Sequence, residues 1–366
     1  MIPDPFKLER YFAKYEFNVK YLLSSSDCDG FSLDYVLSSA EQGETKLWDS
    51  ITLGYTDSLG NPLLRESISR HYNTINTDNV FVLSPGEANY ILMQVYLNPG
   101  DHIVCMRPAY QSLYQIAINK GCHISWWSTD DNNNFNPDDL ANLVTGKTKM
   151  IIVNFPHNPT GYYPEKDELN RIIEIASRHN TLIFSDEMYH KLVHNPAKLN
   201  DSLCDLYENA ISLWGMAKSF GLAGLRIGWI STHNKELLTA MQQYKDYLTI
   251  CSSAPSEVLS MIALNNSERF IEVNLEKIRG NKEIFKSFVN RHPELFQDYH
   301  ETQAGSTALV KVRLNEPALS YAEKLVKRTG VMLVPSEMFE YGDQHFRIGF
   351  GRANMREALL AWEAEM

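Results

Sequence analysis

The chain has 366 residues, 44% of them apolar, enough to bury a large core and to divide into two domains. A formal net charge of −11 with no Lys/Arg stripe argues against a nucleic-acid partner, because a phosphate backbone requires a basic face. Cys28, Cys105, Cys122, Cys204 and Cys251 are scattered without a CxxC pair, which suits reduced thiols and gives no metal site. The opening MIPDPFKLERYF has no apolar region behind a basic start, and no run approaches the ~18 apolar residues of a membrane span, so the expectation is a cytoplasmic protein.

In sequence order, residues 4–15 have acid-rich helical character and lead to an apolar run at 19–23. A serine and acid cluster closed by Gly30, from Ser24 to Asp29, is turn chemistry. A second turn-rich stretch at 54–62 leads into a helix at 63–72. From residue 79 to about 250, short apolar runs alternate with helical patterns. The runs at 80–83, 103–106, 124–127, 150–155, 182–185, 211–213 and 227–230 read as seven buried strands. Helices are expected between them at 87–97, 110–120, 164–179 and 235–247. Apolar strands joined by helix-length connections predict an α/β fold, with a mainly parallel seven-stranded sheet covered on both faces. A helix at 271–288, strands at 308–312 and 331–334 and a helix after Asn354 suit a smaller α/β domain. The expected division is 45–265 as the large domain, with 1–44 and 266–366 forming the small one.

Ligands of such sheets bind at the carboxyl ends of the strands, and polar residues gather there. Ser84-Pro85-Gly86-Glu87-Ala88 opens a helix directly after a strand, an arrangement that seats anions. Tyr110 follows the second strand and can stack on a flat heterocycle, or simply fill the core or rim. Asn158 stands in a turn after the fourth strand, and Asp186 with Tyr189 follows the fifth. The stretch ISLWGMAKSFGLAGLRIGW, residues 211–229, then places Lys218 among Trp214, Met216, Phe220 and Leu222, with Arg226 eight positions on. A lysine so placed snorkels to solvent, pairs with an acid, or is committed to a Schiff base.

Lys218 with Arg226, Asp186 with Tyr189, and Asn158-Pro159-Thr160-Gly161 together resemble the signature of the fold-type I, class I/II aminotransferases, which depend on pyridoxal 5′-phosphate. The match runs in order from about Tyr55 to Arg347. The resemblance implies that Lys218 forms the cofactor aldimine and shuttles protons, that Asp186 keeps the pyridine nitrogen protonated, and that Asn158 and Tyr189 bond the ring oxygen. It further implies that Tyr110 stacks on the ring. Phosphate is then held by backbone N–H groups of Gly86, Glu87 and Ala88, by Arg226, and by Tyr55 from a second subunit of a homodimer. Arg347 resembles the arginine that takes the substrate carboxylate, with Arg352 as rival.

Two departures bear on the reaction. The family usually carries serine three residues before the lysine, where this sequence has Gly215, leaving fewer hydroxyls for phosphate unless Ser212 or Ser219 takes over. The N-terminal Leu8-Glu9 helix and the loop containing Ser26, Asp27 and Asp29 resemble a branch that processes arginine and hydroxyarginine, typified by capreomycidine synthase. That resemblance implies that Glu9 and Asp27, then Asp29, face a substrate guanidinium, and that a hydroxyl on the substrate's side chain is expelled before ring closure. Ordinary solvated acids are the other reading. A conventional amino acid:2-oxo acid aminotransferase is the alternative function, and a non-catalytic regulatory domain of this fold is a third.

Overall fold

The structure, a computed structural model, describes residues 4–297 and 299–366. A seven-stranded sheet contains Val80–Leu83, Gly228–Thr232, Ala210–Gly215, Leu182–Asp186, Thr148–Asn154, His102–Arg107 and His123–Ser128, in that spatial order. Six of these strands run in the same direction, whereas Gly228–Thr232 is antiparallel to both of its neighbours. The strands at 80–83, 148–154, 182–186, 210–215 and 228–232 are almost wholly buried, as a sheet covered on both faces requires. Each of the seven strands expected in this sheet is present, displaced by at most two residues at an end.

The helices differ more. The expected helix at 110–120 is a 3₁₀ turn, Gln111–Leu113, and a short helix, Gln115–Asn119, separated by Tyr114 at φ −137°. Tertiary bonds override local propensity there: Gln111 accepts the Lys7 N–H at 2.9 Å, and the Tyr110 hydroxyl reaches Glu9. Helix Ala254–Asn265 is not among the expected helices: eight of its twelve residues are buried around the helix, leaving no amphipathic stripe. Gln42–Asp49, closed by a Glu41/Glu44 capping box, was also missed.

The N-terminal segment belongs spatially to the C-terminal one. Tyr21–Leu22 pairs in parallel with Val331–Met332, while Val334–Pro335, His345–Gly349 and Thr307–Lys311 form a three-stranded antiparallel sheet. The expected single strand at 331–334 is thus divided between two sheets. Pro335, lacking an N–H, sits on an edge strand. Helix Lys7–Tyr15 lies against this unit through Leu8, Tyr11 and Tyr15, packed with Val326, Met332, Val334 and Phe339. The loop at 24–28 passes directly over residues 349–351, and a Cβ on Gly349 would stand 1.9 Å from the Ser25 carbonyl oxygen. Only glycine permits that approach.

Candidate active site

A cavity of about 420 Å³ opens at the carboxyl ends of the central strands, between them and helix Lys7–Tyr15. Lys218, Asp186, Tyr189, Gly86, Tyr110, Asn158, Arg226, Arg347, Glu9, Asp27 and Ser26 all line it. Three expected residues do not: Glu87, Ala88 and Tyr55.

Lys218 follows strand Ala210–Gly215, and its Nζ donates to Ser26 Oγ at 2.9 Å. Asp186 ends strand Leu182–Asp186, and its Oδ1 accepts the Met188 N–H at 3.1 Å. Burial pushes the Asp186 carboxyl up to about 7; the Met188 bond opposes this, Glu187 adds to it, and Lys218 opposes it. Among the described residues Asp186 has no ion-pair partner within 4.0 Å.

The two asparagines after strand Thr148–Asn154 are tied together. Asn154 Oδ1 accepts the Asn158 N–H at 2.7 Å, and its Nδ2 donates to the Asp186 carbonyl at 2.8 Å. Asn154 lines the cavity and was missed, although an asparagine closing an apolar strand was a visible signal. Arg347 is 1% exposed on strand His345–Gly349. Its Nε and one terminal nitrogen donate to the Ser24 carbonyl at 3.1 and 2.8 Å, and the other terminal nitrogen to Asn158 Oδ1 at 3.1 Å. A guanidinium only donates, so this bond fixes the Asn158 amide with its NH₂ group left as a donor. Burial pulls the Arg347 pKa down, and nearby Tyr189, Asp27, Glu9 and Tyr110 counter it. Arg352 is engaged elsewhere, with Asp27 at 3.0 Å and Asp29 at 3.5 Å.

The N-terminal wall is acidic. Glu9 accepts the Tyr110 hydroxyl at 2.7 Å, and burial and then Glu9 raise the Tyr110 pKa. Glu16, also on the cavity, was not anticipated; burial raises its carboxyl pKa, with Asp27 and Glu9 adding to the shift. Asp29 does not line the cavity and bonds Lys277 at 2.9 Å.

At the opposite end, Gly86 lies near the start of helix Pro85–Tyr96, where a Cβ would meet nothing within 4 Å. The Ala88 N–H donates to the Ser84 carbonyl at 2.9 Å, so the expectation that Ala88 offers a free donor is corrected. Gly86 and Glu87 precede the first intrahelical N–H bond. Arg226, at φ 55°, also lines the cavity, with a terminal nitrogen 3.1 Å from the Ala223 carbonyl. A Cβ on Gly215 would lie 2.8 Å from Gly228 Cα and 2.9 Å from the Ile227 carbonyl oxygen, which excludes serine there without a shift of the sheet. Ser212 is bound to Glu187 at 2.8 Å and Ser219 to the His190 carbonyl at 2.5 Å, and neither lines the cavity. Tyr55 is 89% exposed, beside a surface groove with Leu53 and the 251–255 segment.

Residues 18–361 match the family model for aminotransferase class I and II. The protein belongs to that family. It is 27% identical to capreomycidine synthase of Streptomyces vinaceus over 98% of its own length and 93% of that protein. It is 31% identical to an aspartate aminotransferase of Bacillus sp. (strain YM-2) over 66% of its own length and 62% of that one. Among solved structures, the PLP-dependent cyclase OrfR superposes with a TM-score of 0.91 at 26% identity, covering 100% of this protein and 97% of that one. A PLP-dependent aminotransferase from Streptococcus suis gives 0.90 at 25%, covering 99% and 96%. This member of the aminotransferase family is thus an enzyme, and pyridoxal 5′-phosphate is its cofactor. The residues fit the group: buried Asp186 lacks the cation that a pyridinium N–H supplies, and the Gly86 helix terminus leaves open space for phosphate.

Proposed function

We propose that this enzyme eliminates and cyclises a hydroxylated L-arginine. The carrying observation is the N-terminal cavity wall, where Glu9, Glu16 and Asp27 stand together while buried Arg347 faces the same space. An amino acid with a cationic tail satisfies both: its carboxylate takes the free donors of Arg347, and its guanidinium takes the acids in a geometry suited to paired carboxylates. The likeness to capreomycidine synthase and to a PLP-dependent cyclase, over nearly the whole sequence, supports the same reading.

When bound, the cofactor supplies an electron sink for the charge left at the substrate α-carbon. The residues around it act as follows. Lys218 would hold the cofactor at its aldehyde carbon and, as a free amine, would take the substrate's α-proton. Ser26 holds that amine at 2.9 Å. Asp186 would accept the pyridinium N–H, Asn158 and Tyr189 would donate to the ring oxygen, and Tyr110 would cover the ring face. Gly86, Glu87 and Arg226 would hold the phosphate. The proton that Lys218 received passes to the substrate's side-chain hydroxyl, which leaves as water as its bond to the tail carbon breaks; a guanidino nitrogen bonds to that carbon, and the proton it sheds balances the one returned to the α-carbon through Lys218.

A homodimer with shared sites belongs to this proposal, with the partner subunit's Tyr55 reaching the phosphate. Exposed Leu53, Tyr55, Tyr247, Leu248 and Ile250 support an apolar contact face. Domains at 45–265 and at 1–44 with 266–366 are supported by a large sheet confined to the former and two small sheets confined to the latter. No helix among the described residues is long and apolar enough to cross a membrane. Five free thiols support a cytoplasmic setting.

A conventional aminotransferase is the second reading, favoured by the identity to aspartate aminotransferases. A single turnover with hydroxylated arginines separates the two. Cyclisation returns the cofactor as aldehyde and gives a product lighter by one water. Recovery of pyridoxamine phosphate with a keto acid would instead establish transamination.

A further inference from the structure

Three residues before the lysine stands Gly215, which offers no hydroxyl, and a Cβ there would lie 2.8 Å from Gly228 Cα. Backbone N–H groups at a helix start form a generic anion seat, and this helix carries one further group. Asn89 stands one turn along Pro85–Tyr96 from Gly86, on the same helix face, and lines the cavity with Pro85 and Gly86.

Asn89 is 3% exposed, and its amide is half satisfied: Nδ2 donates to Ser112 Oγ at 2.9 Å, while Oδ1 has no hydrogen-bond partner among the described residues. The two ends of an amide are told apart by what they bond. Ser112 carries a hydroxyl, which donates as readily as it accepts, so turning the Asn89 amide over preserves that bond with Oδ1 as acceptor. The NH₂ group is then released. Without an anion, either orientation leaves one end of a buried amide unpaired, a cost to the fold. An anion at the helix start pairs the released NH₂ and leaves both ends bonded.

We infer that Asn89 donates a hydrogen bond from its amide to the cofactor phosphate. The cofactor and its dephosphorylated form, pyridoxal, share the ring and differ at this end alone, so the ratio of their affinities reports phosphate contacts. Binding to cofactor-free protein is measured by absorbance titration for wild type, Asn89→Ala and Asn89→Asp. Wild type should prefer the phosphorylated form; failure to bind either would indict the cofactor assignment and not Asn89. Asn89→Ala should lose about tenfold or more in affinity for pyridoxal 5′-phosphate, the effect of one bond to a charged group, with pyridoxal binding unchanged. Asn89→Asp keeps an acceptor for Ser112 but sets an acid against the phosphate, and should lose more. Equal losses for both ligands, or none, overturn the inference. A crystal structure of the wild-type holoprotein gives a test independent of either variant's folding. It should show the Asn89 amide within about 3.2 Å of a phosphate oxygen, and an amide beyond that reach also overturns it.

Discussion

The Glu9 carboxylate, on the N-terminal helix, accepts the hydroxyl of Tyr110 at 2.7 Å across 101 positions of sequence. One acid thereby touches both the aromatic wall of the cavity and the space that the proposed guanidinium would fill. Glu9→Ala should weaken arginine binding by about tenfold, since a hydrogen bond to a charged group contributes about 1.5–3 kcal/mol. The same variant should change cofactor affinity far less. Titration with arginine, followed by cofactor absorbance, checks this, and unchanged arginine affinity would sink the guanidinium pocket.

Asp186 sets a pH signature. Its carboxyl stands at about 7 against an ordinary 3.8, so ionising it disfavours the folded cofactor-free protein. The sign follows: stability from this group is present below pH 3.8 and is lost as pH rises through 7, on the order of 4 kcal/mol in all. A bound pyridinium supplies the missing positive charge and reduces that loss. The gap in Tm between holo- and apoprotein should therefore widen from about pH 4 to 7. Glu257, also pushed to about 7 by burial, adds a slope of the same sign to both forms and cancels in the difference. Asp186→Asn should flatten the gap; a gap that widens equally in that variant would refute the assignment.

A serine in place of Gly215 should not be accommodated. Gly215→Ser places a Cβ 2.8 Å from Gly228 Cα, in backbone that cannot swing aside. Overpacking of this kind costs about 1–3 kcal/mol. A lower Tm with no gain in cofactor affinity is expected from thermal melts and titration, and tighter binding would show that the sheet yields.

Lys218→Ala should retain the cofactor non-covalently while losing turnover and borohydride-stable labelling. Peptide mapping of reduced wild-type protein should find the label on Lys218 alone. A label elsewhere would displace it from its proposed role.

The sheet was legible because its strands are apolar on both faces and end in residues that break the pattern, Asn154 and Asp186 among them. Lys218, Tyr110 and Asn158 stood out for the same reason, as chemistry placed just beyond strand ends. What stayed hidden depends on distant contacts. Helix Ala254–Asn265 has no polar face to mark its period, and the break at Tyr114 answers to Lys7 and Glu9 across the fold. Glu16 resembles any solvated acid until the cavity is seen, and Ala88 resembles a phosphate donor until its N–H is traced to Ser84.

The Ser24 carbonyl is gripped by Arg347, 323 positions later, and Tyr21–Leu22 completes its ladder only with Val331–Met332. During synthesis the helix Lys7–Tyr15 and the 24–29 loop emerge about three hundred residues before the segments they pair with. They must wait, unpaired, while the central sheet assembles. Closing so long a loop is an entropic cost deferred to the end of folding. The acidic wall of the cavity should therefore be the last part of the enzyme to form, and pulse-labelling hydrogen exchange should find amides 8–29 protected after those of the central strands.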